Sequence, residues 1–372
     1  ERGDARRGRG LMAAGRARAA LGGIGAERAR RRFRPPALKV AERGGAERTV
    51  YYLCPDHATP SGGVRAIYRH VDLLNEAGVD AAVLHHRSGF SCRWFEHSTR
   101  VVSASAVRLS PRDVLVVPEI YGPYFDQLPE GPRLVAFNQN AYLTFARLAP
   151  GQELTYRRFE AAMTVSRDSA EYLRFAFPGL DVAVVPNSID GDLFHPGGGL
   201  PPRRLAMMPR KRREEADQIL RLLGSRLEGW EVVEIDGRPE AEVATLLRES
   251  PIFLALGRQE GFGLPAAEAM ASGCFVVGFP GFGGRELFDP QCSAPVEDGD
   301  VLGAAVRLAD AIEVYETRPS ELCEAGMRAR RRIVEAWTPE GQRRSLLDFF
   351  AGLLGTGGAS SALLDPLVVE SK

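Results

Sequence analysis

From Thr49 onward, short apolar runs alternate with longer segments whose apolar residues recur every three to four positions. Residues 49–54, 80–84, 113–119, 133–137, 162–166 and 181–187 have the length and composition of buried strands. Between the first two, Val64, Ile67, Val71 and Leu74 fall at helical spacing, with Gly62-Gly63 before them and Gly78 after. Ser166 or Asp168 suits the cap of a helix running through Phe175. A Gly- and Pro-rich run over 197–202 then interrupts the alternation, as a linker would. Beyond it the pattern resumes, with strands at 205–208, 230–235, 251–256 and 274–279. Helices are predicted at 214–227, 239–249, 301–314 (capped by Asp300), 320–336 and 339–354. Strand-helix alternation of this kind predicts an α/β fold with parallel, doubly wound sheets joined by right-handed crossovers. The break near Gly197 divides it into domains at 49–196 and 197–336.

Composition narrows the class. An apolar fraction of 44% and a charged fraction of 26% are those of a soluble globular chain, and no apolar run reaches membrane-span length. Lys plus Arg equals Asp plus Glu at 48 each, so no overall field points to nucleic acid as a partner. Five cysteines without close pairs fit a reducing, cytoplasmic setting better than a disulfide framework or a zinc site. The charge is unevenly placed: residues 1–48 hold 14 Lys or Arg against 5 Asp or Glu, densest from Arg28 to Arg34. Such a leader reads as solvated and disordered, with peripheral contact to anionic lipid headgroups as the alternative. It lacks the apolar core of a secretory signal. Residues 355–372 read as a frayed tail.

Candidate chemistry concentrates in residues 257–273, Gly-Arg-Gln-Glu-Gly-Phe-Gly-Leu-Pro-Ala-Ala-Glu-Ala-Met-Ala-Ser-Gly, between two buried strands. Pro265 suits the start of a helix and Gly273 the residue past its end. Gly261 and Gly263 would let the backbone approach a ligand, and the helix N-terminus offers amides to an anion. Glu260 in the loop and Glu268 in the helix would accept hydrogen bonds from sugar hydroxyls. Anion-binding amides flanked by two carboxylates describe a nucleotide-sugar site; on spacing alone, a glycine-rich turn with two solvated glutamates fits as well. Pro209-Arg210-Lys211-Arg212-Arg213 puts four cations after a strand, where a helix dipole disfavours them. A diphosphate would reverse that balance, and Arg210 with Lys211 are the expected clamp. Strand ends in doubly wound sheets tend to face the ligand. That rule singles out Gly62 and Gly63, Glu119 and Tyr121, and Asn138, Gln139, Asn140 and Tyr142. His85 and His86 are adjacent, point in different directions and lack an accompanying Cys or carboxylate pattern, so they do not read as a metal site; His195 reads as surface or interdomain packing.

The run from Glu260 to Gly273 resembles the two-glutamate signature of the retaining glycosyltransferases of family 4. That resemblance implies two Rossmann-like domains facing across a cleft (the GT-B arrangement), with a final helix over 337–354 crossing back to the first. It implies transfer of a sugar from a nucleotide-diphosphate sugar to an acceptor hydroxyl, with retention of configuration, no tightly bound cofactor and no required metal. Glu260 would bind the donor sugar near its reacting carbon and Glu268 the ribose. The amides of Phe262, Gly263 and Leu264 would line the diphosphate, Gly62 and Gly63 would face it, and Arg210 and Lys211 would hold the leaving phosphates. Pro186-Asn187 with Asp190, Phe194 and Pro196 resembles the family's link between domains; Glu286 and Asp300 resemble positions away from the chemistry. One departure stands out. Many relatives carry a histidine near the reacting sugar, whereas here stand Gln139 and Asn140, which orient hydroxyls but exchange no proton near neutral pH. A saccharide, lipid-linked or small-molecule acceptor is expected. The rival readings are an epimerase or phosphorylase of the same form, and a non-catalytic subunit that binds nucleotide sugar.

Overall fold

The computed structural model describes residues 35–41, 48–146 and 148–355. The expectations for residues 1–34, 42–47 and 356–372 lie outside them. Order starts earlier than the apolar pattern indicates: β1 (Lys39–Val40) pairs in parallel with β5 (Arg108–Leu109). Two residues are too few to show a period.

The first sheet holds β2 (Val50–Leu53), β3 (Ala81–His85), β4 (Val101–Ser103), β6 (Val114–Pro118), β7 (Arg133–Asn138), β8 (Ala161–Thr164) and β9 (Asp181–Val184). Their order is β4-β3-β2-β6-β7-β8-β9, and every pairing is parallel. Helices on both faces explain why β2, β3 and β6 are buried throughout and read as unbroken apolar runs. Period-two alternation sends Tyr52 into one apolar cluster and Tyr51 into another on the opposite face. Helix α1 (Gly62–Glu76) buries Val64, Ile67, Val71 and Leu74 as its spacing requires. Ser166 caps α2 (Arg167–Ala176), accepting from Ser169 N at 3.1 Å. The predicted strand at 181–187 stops at Val184, since Pro186 cannot donate to a ladder.

The second sheet holds β10 (Arg204–Met207), β11 (Glu231–Glu234), β12 (Ile252–Leu256), β13 (Phe275–Phe279) and β14 (Ala294–Pro295), ordered β11-β10-β12-β13-β14 and again parallel. Around it lie α3 (Arg213–Leu223), α4 (Glu240–Arg248), α5 (Leu264–Ala271), α6 (Val301–Thr317) and α7 (Pro319–Ala336). The helix expected over 214–227 ends at Leu223, because Gly224 turns to φ +52°, and the chain tightens into a 3-10 turn.

The chain crosses between the sheets twice, side by side. Ile189 N, in the link after β9, donates to Trp337 O at 2.9 Å, where α7 gives way to α8 (Pro339–Leu354). α8 lies on α1, and Leu346 and Phe350 join its core. Gln342, buried on α8, accepts from Arg69 Nε at 3.2 Å and Ser188 Oγ at 2.8 Å. Beneath it His70 stacks on Phe137 beside the Tyr52 hydroxyl; burial pushes its pKa down to about 3, so it stays neutral.

Candidate functional site

Strand order locates the site before any side chain is considered. In the first sheet the winding reverses between β2 and β6; in the second it reverses between β10 and β12. Open α/β sheets bind ligands beyond the carboxyl ends of the strands at that reversal. Gly62-Gly63 and Glu119 follow the first pair, while Arg210-Lys211 and Glu260 follow the second. All face a cavity of about 500 Å³ between the sheets.

On the second-sheet side, the four-cation cluster separates three ways. Arg210 and Lys211 line the cavity, and Lys211 Nζ lies 2.6 Å from Glu260 Oε1. Arg212 turns inward instead: it donates to Gly257 O at 2.9 Å and Glu215 at 2.6 Å, pairs with Asp298 and lies over the Phe279 ring. Arg213 pairs with Glu234 at the surface. Gly263, at φ +95°, turns the chain into α5, whose first amides have no partner within the helix. Phe262 lines the cavity, and its side chain packs edge-on against Trp337.

Glu268 sits on α5 at 6% exposure, and the side chain that meets it comes from the opposite sheet. Arg65, in the first turn of α1, contacts Glu268 Oε1 at 2.5 Å and also pairs with Glu240. Burial pushes the Glu268 pKa up, opposed by Arg65. The sequence gives Arg65 little signal, because it shares a polar helix face with Arg69, Asp72 and Glu76 and reads as solvated. Only its position two residues past the glycine pair points toward the cleft.

The first-sheet wall sorts the strand-end residues. Glu119, Gln139 and Asn140 line the cavity, whereas Tyr121 and Asn138 belong to the core, the latter donating to Thr144 Oγ1 at 2.7 Å. Glu119 accepts from Gln139 N at 3.1 Å; burial raises its pKa to about 7, with the amides of Gln139 and Asn140 pulling the other way. A Cβ on Gly63 would sit 3.2 Å from Gln139 Oε1, and one on Gly62 2.7 Å from Leu264 Cδ1. Gly261 serves a different purpose from the one its loop suggests. A Cβ there would lie 1.9 Å from Gln139 O, so its Cα is pressed by the opposite domain's backbone. Three further contacts cross the cleft: Asn140 Nδ2 donates to Gln259 O at 2.6 Å, Tyr142 stacks on Phe282 at 4.7 Å, and Arg167 N donates to Glu286 Oε1 at 2.7 Å. Glu286, expected away from the chemistry, thus caps α2 from the other domain. Gln259 and Phe282 carry no signal in the sequence, because backbone strain leaves no compositional trace.

The histidines have partners of their own. His85 meets the Tyr68 hydroxyl at 2.7 Å and Asp56 at 3.0 Å, and His195 Nδ1 lies 2.8 Å from Pro196 O. The five cysteines are free thiols. Among the described residues no helix is long and apolar enough to cross a membrane.

Residues 203–348 match a family model described as glycosyl transferase-like. Over 280 residues the chain is 26% identical to an alpha-1,6-glucosyltransferase of Actinobacillus pleuropneumoniae serotype 7 (strain AP76), covering 71% of this chain and 83% of that protein. Sucrose-phosphate synthase of Thermosynechococcus elongatus superposes with a TM-score of 0.63 at 14% identity, over 84% of this chain and 100% of the other. A glycosyltransferase from Rickettsia africae ESF-5 does so at 0.61 and 11% identity, over 85% and 100%. At these identities the structural likeness concerns the fold: it is the α/β fold of GT-B glycosyltransferases.

Proposed function

We propose that this chain, glycosyl transferase-like in its second domain and GT-B in fold, moves a sugar from a nucleoside-diphosphate sugar to an acceptor hydroxyl with retention of configuration, as in family 4. One observation carries the reading: Arg210, Lys211, Glu260 and Glu268 converge on one cavity at the reversal point of the second sheet. Departure of a nucleoside diphosphate leaves growing negative charge on its phosphate oxygens, and fixed cations lower that barrier. One cation about 4 Å from an oxyanion, at an effective dielectric near 20, contributes roughly 4 kcal/mol before desolvation. Lys211 pairs with Glu260. Donor phosphates compete for Lys211 and free Glu260 to accept from the sugar hydroxyls, while Glu268 accepts from the ribose. Leaving-group and incoming oxygens then share one face of the sugar, which gives retention. Arg210 and Lys211 supply the positive charge that neutralises the diphosphate in this scheme, so transfer should survive EDTA. Loss on chelation, restored by a divalent cation, would overturn that part.

The named glucosyltransferase relative puts nucleoside-diphosphate glucose first among donors to test. A thermal-shift panel of uridine, guanosine and adenosine diphosphate sugars should show one class stabilising the protein, by about 2.7 kcal/mol at a hundredfold its Kd. Glu260→Gln and Arg210→Ala should each abolish most transfer from that donor; full activity in both folded variants sinks the proposal. The anomeric coupling of the product in NMR checks retention. Gln139, where an exchangeable proton would be useful, favours a second reading: a non-catalytic subunit that binds the donor. Tight donor binding without turnover over a broad acceptor panel would select it.

A further inference from the structure

Among the described residues only Gln259 (φ +47°) and Phe282 (φ +64°) are non-glycine residues with positive φ. Phe282 has ψ −88°, close to the rare, strained γ-turn region. Such conformations persist only where surroundings enforce them, and they gather at functional sites. Both residues flank Glu260. Gln259 precedes it in the chain, and Phe282 pairs with it as an isolated parallel bridge. Two backbone bonds tie that bridge, Glu260 N to Gly281 O at 2.7 Å and Gly283 N to Glu260 O at 3.0 Å.

What enforces the strain comes from the other domain. The Asn140 side-chain amide is used at both ends: its Oδ1 accepts from Tyr142 N at 3.1 Å, capping a 3-10 turn over Ala141–Leu143, and its Nδ2 donates to Gln259 O. The Tyr142 ring, oriented by its hydroxyl on Asp168 at 3.1 Å, stacks on Phe282, with the Arg285 guanidinium 4.8 Å from the Phe282 ring centre. The geometry points to Asn140 and Tyr142 as positioning residues that hold Glu260 in its sugar-binding orientation. The donor-sugar site is then complete only when the first domain is closed on the second. This assignment rests on the glycosyl-transfer reading for what Glu260 binds, but not for whether it is held.

Asn140→Ser keeps an N-cap oxygen and is too short to reach Gln259 O. Tyr142→Leu removes the stack, while Tyr142→Phe keeps the stack and loses only the hydroxyl. Amide hydrogen exchange on the ligand-free full chain should show Glu260 and Gly283 exchanging about tenfold faster in Asn140→Ser and Tyr142→Leu. Tyr142→Phe should stay within about twofold of the parent, and melting temperatures should remain close throughout. Calorimetry with uridine diphosphate and uridine diphosphate glucose (or the pair chosen by the thermal-shift panel) supplies the second arm. The first two variants should lose affinity for the nucleotide sugar by about tenfold and for the nucleoside diphosphate hardly at all, since only the sugar meets Glu260. Unchanged exchange at both amides overturns the positioning role whatever binds, as does equal loss for both ligands. A parent protein that binds no nucleotide sugar overturns the transfer reading, even where the exchange result holds.

Discussion

The two walls of the cleft are built in different ways. The second-domain wall comes from two strand ends that are neighbours in the sheet: the Arg210-Lys211 turn after β10, then Glu260 and Glu268 within the single loop and helix after β12. The first-domain wall is gathered from Gly62 to Arg65, from Glu119 and from Gln139 to Tyr142, three strand ends that meet only once the sheet has formed. The first kind of wall is built within one sheet, where Lys211 and Glu260 lie 49 residues apart in the chain. The second places contacts whose partners lie about 120 to 200 residues away in the chain, as Asn140 to Gln259 and Arg65 to Glu268 do. The residues of the proposed chemistry belong to one domain, and the longest-range contacts hold the other domain against them.

That contrast can be broken experimentally. The largest expected effect is on the second wall: Arg210→Ala or Lys211→Ala should slow transfer by on the order of a hundred- to a thousandfold at saturating donor, with the melting temperature nearly unchanged. A stability loss as large as the rate loss would erase the distinction. On the first wall, Arg65→Met leaves Glu268 buried beside Glu240 without its cation. Such a break costs about 3 kcal/mol, read as a lower denaturant midpoint, and Arg65→Met with Glu268→Gln should recover most of it. Gly261→Ala sharpens the picture next, because its methyl group would overlap Gln139 O and wedge the domains apart. Small-angle scattering should show a larger radius of gyration and assays about tenfold slower transfer, in a protein with unaltered circular dichroism. The smallest effect concerns Glu119. Its pKa of about 7 in the fold exceeds its ordinary 4.5, so the fold prefers the neutral carboxyl. That preference stabilises fully below pH 4.5 and fades as pH rises to 7. Glu119→Gln should therefore remove a decline in melting temperature between those limits, and parallel curves for parent and variant would refute it.

The same division explains what could be read from sequence. Strand-helix alternation, the glycine loop and the helix behind Glu268 are short-range signals, and residues 252–256, 264–271 and 275–279 fold much as their spacing predicts. The basic cluster was legible as a cluster; that Arg212 turns inward onto Gly257 and Asp298 was not, since four adjacent cations carry no label for direction. Arg65 hid on a polar helix face for want of any local sign of Glu268. Gly261 was legible as glycine but not for its reason: the surface it admits is another domain, not only a ligand. Tyr121 and Asn138 showed the limit of the strand-end rule: Asn138, the last residue of β7, enters the core one position before Gln139, and Tyr121, in the 3-10 turn after β6, is buried two positions past Glu119.

The paired passage of the chain between the domains, with Ile189 tied to Trp337, limits how the molecule can breathe. A single tether would permit one half to swivel freely against the other. Two adjacent tethers leave rotation about the line joining them as the softest motion, like covers turning on a spine. Each opening would therefore return Tyr142 to the same place on Phe282, so the distance between the free edges could serve as a single coordinate for following turnover with one pair of fluorescent labels.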